Sequence, residues 1–459
     1  MMKKALPFKP LTTAILVASL FPLAHAADSY GVHAKTEDLL ITEQSVFENV
    51  DYGVSAENEH SATINSDADI TLSVKKAGVY VNSKKTGSVF LNAANTIAVQ
   101  GKGSGAVDGF RVDSSSNSNV KADNVLEANA KNISLNSESS FTARGIYVES
   151  NTSNSGKFDA KMLVKADEAL TISTTGDAYS YGIAAKGLHS FAELSAKEVE
   201  ISAKRSEGTK EKTAKAFGVY ATNNGTLDIA SGRVAINVEN HRDVEKAETF
   251  ALFVEAGPGG YHHNSSITVH DADSVGLNAV AYGESATETA AIRATGAKHN
   301  RGAKVDVSAR EIYLTASGNI ASGVDSFYGA DVTLGDASTE VIAIGNSTLK
   351  NASETNAFTG LRAYAQDQDE AAKINLQGKK IVVDAKSKTD SVGIFGASNS
   401  LINVGDADSD ISISAVTDDA SSEKAYGVWV FSNTFINDGK PVVPLKAGEV
   451  NLNGHSVSI

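Results

Sequence analysis

Few residues of this chain stand at spacings that chemistry requires. His262 and His263, with His270 further on, carry ring nitrogens suited to a metal. Adjacent side chains of a strand point to opposite faces, however, and no carboxylate stands at a diagnostic distance from them. A polar loop beside Gly257-Pro258-Gly259-Gly260 is the plainer account. The run Gly405-Asp406-Ala407-Asp408-Ser409-Asp410 resembles a calcium loop but lacks the central glycine and the closing glutamate. There is no Gly-x-Ser-x-Gly elbow, no Gly-Asp-Ser-Gly and no phosphate-binding loop. Many carboxylates would suit a glycosidase-like pair, yet nothing in the sequence selects two. No catalytic residue, metal ligand or cofactor is assigned on these grounds.

One other set recurs at a fixed offset, two residues after a repeated glycine or alanine. In chain order it is Ser55, Tyr80, Arg111, Tyr147, Ala184, Tyr220, Phe253, Arg293, Asp325, Arg362, Phe395 and Trp429. Tyr80, Arg111, Tyr147, Tyr220, Phe253, Arg293, Arg362, Phe395 and Trp429 are aromatic or arginine, in a chain where aromatics are only 7% of residues. Rings and guanidinium groups are enriched in binding hot spots, so this stripe is the candidate binding face, suited to a glycan or peptide laid along it. Stacked rings that merely stiffen a sheet are the alternative.

The elements that position the stripe follow from the repeat itself. The segment Ala216-Phe217-Gly218-Val219-Tyr220 returns as Ala77-Gly78-Val79-Tyr80, Gly145-Ile146-Tyr147 and Tyr426-Gly427-Val428-Trp429, with looser copies at Gly53, Gly109, Gly182, Gly323, Gly360 and Gly393. Ala251 and Ala291 stand in for the glycine. Self-similarity at such a period marks a solenoid. Two further apolar alternations follow each copy, so the unit is three short strands, A, B and C. Strand B is expected at Ile64, Val89, Val120, Phe158, Leu194, Leu227, Ile267, Val305, Val332, Ile374, Ile402 and Val450. Strand C is expected at Ile70, Ile97, Ile133, Leu170, Val199, Val234, Val275, Ile312, Ile342, Ile381, Ile411 and Val457.

Such units bury their apolar edges only by stacking. The fold class is therefore all-β, a parallel β-helix of about twelve coils, rising about 4.8 Å per coil. The B-to-C corner is tight, whereas the polar stretches at 204–215, 239–248 and 415–424 lie between C and A. Counting alternate residues through strand A points Tyr181, Phe217 and Phe250 into the helix and leaves the glycine outside, at a bend.

Residues 1–26 have the form of a secretory signal peptide, with Lys3, Lys4 and Lys9, an apolar stretch, and Ala24-His25-Ala26. Residues 27–52 are expected to form an irregular capping coil, and 53–459 the repeat domain. Cysteine is absent. Removing three signal lysines from 41 basic residues leaves 38 against 55 acidic ones, a formal charge of −17. Such a surface disfavours nucleic acid and anionic membrane as partners.

A signal peptide followed by a cysteine-free series of three-stranded coils resembles the passenger of an autotransporter (type V secretion) of the pertactin and adhesin type. The resemblance rests on architecture and composition over 27–459. It implies a right-handed β-helix, consistent with the crossover rule, exported through the periplasm to the cell surface or secreted. It also implies an adhesin or interaction scaffold without catalysis, whose partner is a host-cell surface protein or glycan, or another copy of itself. The chain departs from that pattern in ending at Val457-Ser458-Ile459 without the C-terminal membrane barrel, through which alone a membrane would be met. A fragment of a longer protein is the expected explanation. The alternative function is a secreted β-helix enzyme acting on polysaccharide, which would need clustered carboxylates on neighbouring coils of one face.

Overall fold

The structure, a computed structural model, describes residues 28–42, 45–82, 86–114, 122–150, 158–206, 213–241, 246–257, 264–282, 287–296, 302–347, 358–365, 370–387, 390–417, 424–431, 436–437, 440–441 and 446–459. The described secondary structure is strand and turn, and 31 strands join a single sheet wound into coils. The strands of that sheet pair in parallel with their counterparts in the adjoining coils. The molecule is a parallel β-helix.

Strand C shows why the sequence folds this way. Ile70, Ile97, Ile133, Leu170, Val199, Val234, Val275, Ile312, Ile342, Ile381, Ile411 and Val457 are consecutive register partners, one per coil. All but Val457 are buried. Branched aliphatic side chains stacked at the interstrand spacing fill the interior with few rotamers to lose. A one-residue slip would turn every one of them to solvent.

Strand B follows its expected column from Leu227 to Val450. Earlier, the partners of Val89 are Ala62, Leu126, Met162 and Ala192. Ile64 and Leu194 lie two residues on, on the same buried face, and Phe158 lies four residues before Met162. Val120 lies outside the described residues. Alanine and methionine carry too little contrast to mark a rung beside a nearby isoleucine or leucine.

The first coil joins the stack directly. Its strand A, Tyr30–Ala34, pairs in register with the next through Tyr30 to Tyr52 and Val32 to Val54. Its irregularity lies in strand C, where the register shifts between Phe47 and Val50 and again before Tyr52. With it, thirteen coils stack, at Gly31, Gly53, Gly78, Gly109, Gly145, Gly182, Gly218, Ala251, Ala291, Gly323, Gly360, Gly393 and Gly427.

The B-to-C corner is as tight as its spacing requires. Single strands such as Phe158–Gly176, Ser190–Arg205 and Thr226–Asn240 run through both. In two later coils the corner is a turn built by the acidic run. Gly335 and Gly405 have φ of 79° and 76°. The Asp336 carboxylate accepts from Ser338 N at 2.7 Å, and that of Asp406 from Asp408 N at 3.0 Å. Thr339 and Ser409 reach back to carbonyls of the preceding coil, each at 2.7 Å. The resemblance to a calcium loop is thus an aspartate turn hydrogen-bonded to itself. Parts of the C-to-A stretches, at 207–212, 242–245 and 418–423, lie outside the described residues.

Candidate functional site: a furrow along the glycine column

The glycines face inward, contrary to the alternation expected from sequence. A Cβ built on Gly218 would lie 2.3 Å from Ile236 Cγ2 and 2.6 Å from the Ala251 carbonyl oxygen. Ala216, Val219 and Ala221 also belong to the core cluster. Gly218 and Val219 therefore both turn inward, and the strict alternation of a strand is broken between them. The coil is pinched there, with strand A brought against strand C.

A second pattern in the chain explains where the column admits a methyl group. Opposite Gly78, Gly145, Gly182, Gly218, Gly323 and Gly360 stand β-branched Val99, Ile172, Ile201, Ile236, Ile344 and Val383, whose γ-carbons would come within 2.1–2.4 Å of an added Cβ. Opposite Gly53 and Gly109 stand Leu72 and Leu135, at 3.2 Å. Where the column carries Ala251 and Ala291, the register partners of Ile236 are Leu277 and Leu314. Branching at Cβ crowds the strand, and branching at Cγ leaves room.

The pinch leaves the residues on either shoulder outside, where they lean together into a furrow. Phe217 and Tyr220 have ring centroids 5.1 Å apart. Phe217 and Phe250 are fully buried and stack across coils at 5.5 Å, but in a cluster separate from the core, with Phe253, Tyr181 and Tyr220. They were expected inside the helix. They lie outside it, covered by one another.

All nine candidate residues fall in one unbroken column of the furrow, Tyr80 pairing with Arg111, then Tyr147, and so through Ala184, Tyr220, Phe253, Arg293, Asp325, Arg362 and Phe395 to Trp429. The shoulder before the glycine supplies a second column, including Tyr30, Tyr52, Asp108, Arg144 and Tyr181. In several coils a large residue in one column stands beside a small one in the other. Ser55 accompanies Tyr52, Ala77 Tyr80, Ala184 Tyr181, Ala290 Arg293, and Thr359 Arg362. In other coils both shoulders are large, as Phe217 with Tyr220 and Phe250 with Phe253, and at Ser322 with Asp325 neither is.

The rings stand on edge. Tyr30, Tyr52 and Tyr80 stack at 5.2 and 5.1 Å, inclined by 17°. Tyr220 and Phe253 stack at 5.1 Å and 13°. Guanidinium groups continue the pile: Arg144 lies 3.8 Å over Tyr147, Arg293 5.1 Å over Phe250, and Arg362 4.9 Å over Phe327. Tyr147 is 8% and Phe253 6% exposed. In these stacks the ring faces are turned to each other, whereas Phe395 and Trp429 meet edge to face at 71°.

The polar tips are tied down as well. Arg144 clamps Asp108 through Nε and Nη2, and Arg111 bridges Asp108 at 3.4 Å to Asp113 at 2.6 Å. Arg362 grips Asp325 at 2.9 and 2.7 Å. Burial would lower the pKa of Arg111, Arg144 and Arg362, but their aspartates outweigh it and hold all three charged. Tyr147 donates to Glu149 at 2.8 Å and Tyr220 to Glu255 at 3.0 Å. Burial, reinforced by those carboxylates, pushes both phenols well above their ordinary value. The arrangement is bonded along its length and stiffens the rod.

Elsewhere, His262 and His263 lie outside the described residues. His270 binds carboxylates instead, Asp228 at 3.0 Å and Asp271 at 2.8 Å. No group of three histidine or carboxylate side chains suited to a metal occurs among the described residues. Two features of the furrow escaped sequence reasoning: the outward turn of the shoulder before the glycine, and the position four residues after it that supplies Asp113, Glu149, Glu255 and Phe327. The pairing of large with small residues in several coils was the available signal for the first. No family model, no curated protein and no solved structure matches the chain.

Proposed function

We propose that the chain is an exported interaction scaffold of the autotransporter-passenger kind, displayed at the cell surface or secreted, whose partner is a host-cell protein or glycan or another copy of itself. The observation that carries this reading is the furrow. A thirteen-coil rod is braced along its whole length by rings and guanidinium groups bonded to one another, as a device for holding surfaces at a distance would be. The stripe of Tyr80 to Trp429 serves as the brace, and recognition falls to the other faces and the corners. Antibody labelling of intact cells, with binding of the purified rod to host cells and its sedimentation, tests the reading. Labelling only after lysis, or a monomer that binds no cell, would count against it.

A second reading, an enzyme acting on polysaccharide, has one observation in its favour. Glu193 and Asp228 stand opposite each other on adjoining coils, with His270 beside Asp228. Hydrolysis or cleavage of a polysaccharide that is lost in Asp228→Asn, with the fold intact, would establish it.

A further inference from the structure

A second groove runs along the rod, at the corner where strand A passes into strand B. Two hollows share Asn264 and so join end to end. Their floor is one register column on the outer face of strand B, from Lys161 through Phe191, Thr226 and Ser266 to Lys304, Asp331 and Lys373. Six coil steps at about 4.8 Å give a trough about 29 Å long. Among the described residues its wall carries Asn224 and Asn264 at the centre and Gly302 and Gly329 further on. These glycines have φ of 126° and 78°, and the wall has no side chain where they stand.

The chemistry of the trough is narrow. The lining carries Lys161, Lys304 and Lys373 and, equal in number, Asp159, Asp331 and Glu370, with His189 3.8 Å from Asp159, on a chain of formal charge −14. Between the charged ends lie amides, hydroxyls and the rings of His189 and Phe191, with Lys161 Nζ 5.7 Å from the Phe191 centroid. Concavity and a few convergent polar groups about an aromatic ring are marks of a binding site. The backbone of these strands is already paired on both sides, so a peptide cannot add as a further strand. An uncharged hydroxyl-rich chain needs none of that backbone, and its ring faces suit Phe191.

We propose that this trough holds a linear neutral polysaccharide. The proposal rests on the scaffold reading and names its ligand class. The test titrates the full chain with cello-oligosaccharides and N-acetylglucosamine oligomers of increasing length, and with oligogalacturonate as the charged comparator. Affinity is expected to rise with length for one neutral series. Ser266→Trp, at an outward position where the added bulk meets solvent, is expected to abolish binding, and Phe191→Ser to weaken it about tenfold. Preference for oligogalacturonate, absence of binding by either neutral series, or unchanged binding by Ser266→Trp would each overturn the proposal. Host-cell binding by a chain that binds neither neutral series would overturn the trough while leaving the scaffold standing.

Discussion

Coils four and five fill the furrow with ions, and coils six to eight fill it with rings, on the same backbone positions. In the first stretch Asp108, Arg111, Arg144 and Asp113 form a buried network. In the second, Tyr181, Phe217, Tyr220, Phe250 and Phe253 pack edge and face. The pinched strand fixes the volume to be filled and leaves the chemistry open. The ionic stretch loses hydration and regains it through paired charges; the aromatic stretch gains directly from burial and ring contact.

That difference sets the order of the expected effects. Phe217→Ala should destabilise by about 3–5 kcal/mol, because a fully buried ring is removed from a packed cluster. Asp108→Ala should cost a similar amount, about 3–5 kcal/mol, since Arg144 is left without its clamp partner. The two stretches then part company. Replacing both ions, Asp108→Leu with Arg144→Met, should leave stability neutral or raise it by about 1–4 kcal/mol, and Arg111 keeps Asp113. Urea unfolding followed by hydrogen exchange at coils four to eight measures all three. A double variant as unstable as Asp108→Ala would show that the ions contribute something apolar filling cannot replace.

The glycine column gives a smaller and more selective effect. Gly218→Ala should destabilise by about 1–3 kcal/mol through overpacking against Ile236. Adding Ile236→Leu should recover part of the loss, as the native pairs of Ala251 with Leu277 and Ala291 with Leu314 indicate. Thermal melts of the four proteins of the cycle decide it; strict additivity would break the link between the two columns.

The smallest effect is acid sensitivity at Glu149 in the ionic stretch. Burial raises the pKa of Glu149, but Lys186 and Tyr147 outweigh it and hold the carboxyl below the ordinary glutamate range. A depressed folded value contributes stability that is complete above about pH 4.3 and lost as pH falls through the folded value. Exchange protection in Thr142–Ser150 should therefore weaken on acidification below that point, and Glu149→Gln should flatten the dependence.

Much of the fold was legible because strand C obeys one rule throughout. Its inward residues are large and branched, so twelve coils could be aligned from periodicity alone. The candidate stripe was legible for the same reason, each member standing two residues after the recurring glycine or alanine. Strand B was less so, since Ala62 and Ala192 mark a rung only once neighbouring coils are in place.

The amino-acid sequence by itself determined the repeat, the three strands of each coil, and the column in which Tyr80, Tyr220 and Trp429 stand. Only the tertiary structure decided which way the preceding residue points. Alternation can be counted only along unbroken strand, and at Gly218 the chain bends because Ile236, on another strand of the coil, occupies the space a side chain would need. Phe217 is buried either way, so hydrophobicity could not tell the interior of the helix from a furrow on its flank. That choice rests on contacts between residues about thirty positions apart, which exist only once the coils have stacked.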